Sequence, residues 1–180
     1  GVMLVMITAQ ALMESTFGLW ADAALHWGPR QVGWALAGLG VGSVLLQGGG
    51  AGRAARTLGE RTMLMVGLVL LTAGFGGMAV SHGEPVFIAS LVVLVAGIGF
   101  ATPALNALIA EQAEPEERGA VMGLSQSASA LGRVIGPMCA GAIFDGFGHG
   151  APFAAGAALM LAALFIASDG QALGQAPSRG

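Results

Sequence analysis

The sequence predicts an all-α, polytopic membrane protein with six transmembrane helices. Of its 180 residues, 55% are hydrophobic and only 9% are charged, against about 25% charged in soluble domains. The mean hydropathy is +0.77, and several apolar runs approach the roughly 20 residues that span a bilayer. A very apolar soluble protein is the disfavoured alternative, because 7 basic and 10 acidic side chains are too few for its surface.

Six apolar segments, separated by short polar connections, are the predicted helices. They cover about residues 2–24, 32–52, 62–80, 86–110, 119–144 and 152–168. A six-helix bundle over 1–168 is thus followed by a polar tail, 169–180. Ala, Leu and Met outnumber β-branched residues in these segments, which favours helices over strands.

The first predicted helix carries Gln10 and Glu14 four positions apart, on one face. The same two residues belong to a face that is rich in flexible and aromatic side chains, which suits adaptable apolar binding. That face also contains Met6, Met13, Phe17 and Trp20. Ordinary helix packing is the alternative. The chain begins inside this apolar segment without an initiator Met or a signal peptide, so we expect a piece of a longer protein.

The second predicted helix has Ser43 and Gln47 four positions apart, with small residues at Gly38 and Gly42. The third helix offers little polarity beyond Thr72. Between them lies the connection RAARTLGER, which we expect to be a loop at 53–61.

The later helices also differ in how many polar residues they carry. The fourth carries Thr102 and Asn106, whereas the sixth has nothing polar from Pro152 to Ser168. Three polar residues share one side of the fifth helix: Gln126, Ser129 and Arg133. Polar side chains in lipid turn toward a bundle interior or a wet cavity. Helices one, two, four and five are therefore predicted to line a cavity or an interface, and three and six to form an outer scaffold. Hydrogen bonds between neighbouring helices are the alternative.

The fifth predicted helix also repeats a small residue at every fourth position, which lets two backbones approach closely. The repeat consists of Ala128, Gly132, Gly136 and Ala140. Pro137, within the same stretch, removes one backbone donor and can kink the helix.

Arg133 lies about halfway along the fifth helix, where an arginine costs about 2.5 to 3.5 kcal/mol to insert. It therefore needs a partner or water. Glu14 is the carboxylate predicted at similar depth, so we expect the two to interact directly or through water. Alternatively, Arg133 faces a second bundle or binds an anionic group of a substrate.

Arginine placement predicts the orientation, because cytoplasmic loops are enriched in positive charge. With six spans, one side of the membrane receives five arginines: Arg53, Arg56, Arg61, Arg118 and Arg179. Only Arg30 lies in a connection on the other side. Both termini are therefore expected in the cytoplasm.

Several other functions are disfavoured. The net charge of −3 and the lack of a basic cluster argue against nucleic acid as a partner. His26, His82 and His149 lie far apart, without metal-ligand spacing, and GLSQS departs from the hydrolase pattern G-x-S-x-G. We therefore expect neither an enzyme nor a metal or cofactor. Cys139, as the single cysteine, excludes an internal disulfide.

Two motifs carry a family resemblance. The connection after the second helix follows the pattern G-x-x-x-D-R-x-G-R-R-x-x-L, with Arg56, Thr57 and Glu60 where Asp, Arg and Arg would stand. Its matching positions are Gly52, Gly59, Arg61 and Leu64. The fifth helix follows G-x8-G-x3-G-P-x2-G-G, with Ala140 replacing one glycine. Its matching positions are Gly123, Gly132, Gly136, Pro137 and Gly141.

With these motifs the chain resembles one six-helix half of a major facilitator superfamily transporter, nearest to drug/proton antiporters of the tetracycline-exporter type. The decayed loop motif favours the C-terminal half. The second motif usually lies in the N-terminal half, so that assignment stays open. The resemblance implies alternating access, in which two halves rock around a midplane site. It also implies a missing N-terminal half, or a second copy, as partner.

The predicted function is secondary active transport: proton-coupled efflux of a small amphiphilic or drug-like compound across the inner (plasma) membrane. The expected substrate or proton pathway consists of Gln10, Glu14, Gln47, Asn106, Gln126, Ser129 and Arg133. Glu14 is expected to carry the exchanged proton, with a static hydrogen bond as the alternative. The rival functions are a truncated relic or membrane interaction protein without transport, and an uptake symporter of the same superfamily.

Overall fold

The computed structural model describes residues 1–111, 113–114 and 116–174, and every regular element in these ranges is helical. The helices are α1 (Val2–Leu25), α2 (Pro29–Leu45), a π-helical segment (Leu46–Ala51), α3 (Gly52–Leu58), α4 (Glu60–Ala79), α5 (Glu84–Glu111), α6 (Arg118–Phe147) and α7 (Ala151–Gly174). Six of the described helices are long and apolar enough to cross a membrane: α1, α2, α4, α5, α6 and α7. The π-helical segment continues α2, and α3 is too short to span. The all-α class and the six spans are confirmed.

The second helix begins earlier than predicted, at Pro29 rather than near 32. Proline suits the first helical position, where its missing N–H would have no partner in the helix. The Gly28 N–H donates to the Gln31 side-chain oxygen at 3.1 Å, which closes the start of α2.

The predicted loop at 53–61 is wrong, because Gly52–Leu58 forms helix α3. Only Gly59 separates it from α4. Gly59 has a φ of 77°, in the left-handed region that glycine adopts without strain. This glycine of the loop motif therefore turns the chain between two helices.

The predicted start of the polar tail is also wrong in part. Helix α7 continues to Gly174, through residues 169–174, and residues 175–180 of that tail lie outside the described part. Helix α6 likewise runs on to Phe147, three residues past its predicted end, and it continues through Pro137.

The π-helical segment Leu46–Ala51 has the sequence LQGGGA. Each glycine weakens an α-helix by about 1 kcal/mol relative to alanine, so three in a row, at 48–50, leave the α-helical hydrogen bonds weakly favoured here. Such π segments occur frequently at functional sites. The triple glycine is the sequence signal that could have predicted this departure.

The core lies between α1, α4, α5 and α7. Glycines let α4 and α5 touch along their backbones: a Cβ on Gly67 would lie 2.6 Å from the Ala101 nitrogen, and one on Gly74 would lie 2.8 Å from the Leu94 Cβ. At one end of the bundle Trp20 stacks on Phe87, with ring centroids 4.1 Å apart.

Of the two interpretations of the Met- and aromatic-rich face of α1, helix packing is the one that the structure supports. Met6, Met13, Phe17 and Trp20 are all buried in the core cluster, at 3% exposure or less. Packing against α4, α5 and α7 uses this face, with Gln10 half-buried at its edge and Glu14 exposed beyond it.

Helices α2 and α6 are the least enclosed of the spanning helices. Helix α2 buries only Ser43 among its residues, while Trp34 is 71% exposed. Helices α4 and α7, predicted as outer scaffold, pack into the core on one side and expose Val69 and Phe165 on another. Helices α2 and α6 are therefore the two that need a further covering surface.

Candidate functional site: the polar face of α1 and α6

A close helix contact organises the candidate site. A Cβ on Gly136 would lie 2.7 Å from the Ala11 Cβ and 2.8 Å from the Leu12 nitrogen, and one on Gly132 would lie 3.0 Å from the Thr8 nitrogen. These neighbours include backbone atoms, which cannot move aside cheaply. The close approach expected of the small-residue repeat is therefore present, and its partner is α1.

Ser129 and Ala140 extend the same buried stripe of α6 on either side of the two glycines. The Ser129 hydroxyl donates to the Ser125 carbonyl oxygen at 3.0 Å, within its own helix. Ser129, predicted as a pathway residue, thus lies in the packing seam and not on an open face. Gly123 and Gly141, the outer motif glycines, are exposed, and a Cβ on either would meet nothing within 4 Å.

A polar face flanks this seam. Arg133 follows Gly132 directly, so it points about 100° away around α6, and it is exposed together with Gln126. On α1, Glu14 is exposed and Gln10 is half-buried. We call these four side chains the polar face. Three of them are exposed, and Gln10 is partly so, although they lie within the spanning helices.

The glycine contacts also fix the register between the two helices. Gly132 meets Ile7 and Thr8, and Gly136 meets Ala11 and Leu12, so α1 and α6 run parallel. Arg133 is therefore level with Thr8 and Ala9 of α1, and Gln10 is the polar-face residue of α1 nearest to it in depth.

The expected direct pair of Arg133 and Glu14 is absent. The register separates them by about 8 Å along the helix axes, at a rise of about 1.5 Å per residue. Within the described residues, no carboxylate oxygen lies within 4.0 Å of the Arg133 side chain. The direct contact is absent because equal depth in each helix does not give equal depth in the bundle when the helices are offset; a contact through water stays a prediction.

The remaining predicted residues lie elsewhere. Gln47 is exposed in the π segment, and Asn106 is half-buried on α5, which contacts that segment. Arg61 is exposed at the start of α4 and lines a cavity of about 450 Å³ with Leu105 and Ser125. Gly52 is exposed, with open space around it.

Thr8 was missed by the sequence reasoning. Its backbone and hydroxyl lie against Gly132, and the hydroxyl donates to the Leu4 carbonyl oxygen at 2.8 Å, which satisfies it within α1. A signal did exist: Thr8, Ala11 and Ser15 form a stripe of small residues at helical spacing on α1, matching the stripe on α6.

Two bacterial resistance proteins are similar to most of the chain. The class B tetracycline resistance protein of Escherichia coli is 30% identical over 148 residues, which is 80% of this chain and 36% of that protein. The multidrug resistance protein MdtH of Cronobacter sakazakii is 34% identical over 117 residues, 64% of this chain and 28% of that protein. The matched part of the chain thus covers little more than a third of the first relative and less than a third of the second.

The fold is shared with a solved transporter. The crystal structure of the human organic anion transporter MFSD10 (TETRAN) superposes with a TM-score of 0.85 at 24% identity, over 92% of this chain and 39% of that one. The family model of the Major Facilitator Superfamily matches residues 1–173. This chain, a multi-pass membrane protein, therefore belongs to the Major Facilitator Superfamily.

Proposed function

We propose that this bundle forms one half of a secondary active transporter that exports a small amphiphilic compound in exchange for protons. The resistance functions in the names of its relatives support export of drug-like molecules. The decayed loop motif favours assignment to the C-terminal half. The second half is a further six-helix bundle, either an N-terminal half or a second copy of this one.

Arg133 is the observation that carries the proposal. It sits at the middle of a spanning helix, is exposed, and has no acidic partner in the described part of the bundle. At this depth in lipid the charge would cost about 2.5 to 3.5 kcal/mol. A water-filled cavity between two bundles, or an acidic group across it, removes that cost. Arg133 therefore supports placing the polar face toward a second bundle.

Glu14 supports proton coupling on the same face. Its carboxylate is the titratable acid at mid-span on α1, it is uncovered by the bundle, and no hydrogen bond or ion pair holds it within the described residues. A static hydrogen bond inside the bundle, the alternative considered for Glu14, therefore has no support. A carboxylate in this position can exchange a proton when the cavity changes sides.

Replacing Glu14 by glutamine should remove the pH dependence of ligand binding. If one proton and the ligand compete, the apparent affinity of the original protein falls by up to about tenfold per pH unit as pH is lowered, by linkage. Gln keeps the shape and cannot titrate, so affinity should stay low and flat. Titrations of the purified protein with tetracycline and with tetraphenylphosphonium across pH measure this.

The matched control is Asp22→Asn, which removes an exposed carboxylate near the end of the same helix. It should keep the original pH dependence. An unchanged pH profile in the Glu14→Gln protein would remove Glu14 from the coupling mechanism.

We also propose an inner-membrane location with the α3 connection in the cytoplasm, because most arginines fall on that side. Cysteines at Thr57 and at His82, in a Cys139→Ala background, should then differ in labelling by an impermeant thiol reagent. From outside intact cells, position 82 should label and position 57 should not. Labelling of position 57 alone would reverse the orientation.

A further inference from the structure

Two histidines that lie far apart in the sequence line one cavity, at the end of the bundle where α1, α4 and α6 end. His82 belongs to the connection between α4 and α5, and His149 belongs to the connection between α6 and α7. The cavity has a volume of about 370 Å³ and is also lined by Ser81 and Trp20. The wide spacing in sequence, which argued against a metal site, therefore does not persist in the fold.

The two connections touch each other through their backbones. A Cβ on Gly150 would lie 2.8 Å from the Ala79 carbonyl oxygen. Gly150 follows His149 directly, and Ala79 lies three residues before His82. This backbone contact brings both side chains to the same cavity, on elements that belong to this bundle alone.

Local hydrogen bonds hold both histidines on tight turns. The Ser81 hydroxyl donates to the Met78 carbonyl oxygen at 2.8 Å, immediately before the first histidine. The Ala151 N–H donates to the Gly148 carbonyl oxygen at 3.1 Å, which closes the turn around the second one. Because the backbone of each turn is already fixed, a ligand that binds both side chains costs less ordering entropy.

Both imidazole rings keep free nitrogen atoms. His82 and His149 are exposed, and neither ring makes a hydrogen bond or an ion pair among the described residues. The ring of His149 packs edge-on against Phe144, with centroids 5.1 Å apart, which restricts its orientation. Imidazole nitrogen suits Zn²⁺, Cu²⁺ and Ni²⁺, whereas Mg²⁺ and Ca²⁺ prefer oxygen ligands. The pair therefore has the ligand chemistry of a transition-metal site.

We propose that His82 and His149 together bind one divalent transition-metal ion, such as Zn²⁺, at this end of the bundle. No third histidine, cysteine or acidic side chain joins them in the described ranges, so water completes the coordination of the ion. A bound ion bridges the α4–α5 and α6–α7 connections. The site depends only on the fold of this bundle and is independent of the proposed transport.

Calorimetric titration of the purified protein with Zn²⁺ tests this site, with a purification tag that contains no histidine. Mg²⁺ should not compete for it. Removing a group that only orients a metal ligand already weakens binding by about 10- to 100-fold, so His82→Asn and His149→Asn should each weaken it at least about tenfold. His82→Cys, in a Cys139→Ala background, should retain binding, because a thiolate also ligates Zn²⁺.

His26→Asn is the matched control. His26 is exposed at the same end of the bundle, outside the cavity lining, and asparagine tolerates its left-handed φ of 54°. This variant should keep the original affinity for Zn²⁺. Because all three histidines are exposed, the unfolding midpoints without metal should match, and Zn²⁺ should raise the midpoint of the original and His26→Asn proteins only.

Equal Zn²⁺ affinity in the three asparagine variants would overturn the proposal. Loss of binding in only one of His82→Asn and His149→Asn would overturn it as well, since the site needs both rings. Failure of a folded His82→Cys protein to bind Zn²⁺ would show that position 82 supplies no ligand, which also contradicts the proposal.

Discussion

Gly136→Ala should destabilise the folded protein by about 1 to 3 kcal/mol, the usual range for overpacking a tight contact. The added methyl would lie 2.7 to 2.9 Å from the Ala11 Cβ, the Leu12 nitrogen and the Thr8 carbonyl oxygen. Relief requires α1 and α6 to separate, because two of these atoms belong to the backbone. Gly136→Leu should go further and abolish folding or transport.

The control is Gly141→Ala on the same helix. A Cβ there meets nothing within 4 Å, so the change should be neutral or stabilise α6 by up to about 1 kcal/mol through helix propensity. Thermal unfolding of the detergent-purified proteins compares the two variants. Equal midpoints, or normal transport by a Gly136→Leu protein, would show that the seam is not a tight contact.

Arg133→Ala should reduce transport by at least about tenfold, because the acidic or anionic group that faces Arg133 across the cavity loses its cation. Stability of the bundle itself should change little, because Arg133 is exposed and without a partner in the described residues. Arg133→Lys keeps a cation and should retain part of the activity. Arg30→Ala, at the start of α2, is the control and should transport normally.

Exchanging the two charges distinguishes a pair between Arg133 and Glu14 from a position of Arg133 that faces the second bundle. Combining Arg133→Glu with Glu14→Arg should not restore transport, because the register places these positions about 8 Å apart along the helix axes. Recovery of transport in the double variant would instead show that the two side chains pair in the working protein.

The sequence predicts the number of helices and their polar stripes because hydropathy and residue spacing are local properties. The contact of Gly132 and Gly136 was predictable for the same reason. The offset between α1 and α6 was not predictable, since it depends on which α1 residues the two glycines contact. Met6 and Phe17 show the same limit: their residue types suit either binding or packing, and only the position of α4, α5 and α7 decides.

The most direct test of the account is substrate accumulation by vesicles under an imposed pH gradient, using the protein in its two-bundle assembly and tetracycline or tetraphenylphosphonium as probe. Everted membrane vesicles with an acidic interior should accumulate the probe, and a protonophore should abolish accumulation. Accumulation that ignores the gradient, or that requires the opposite gradient as an uptake symporter would, contradicts proton-coupled export by this bundle.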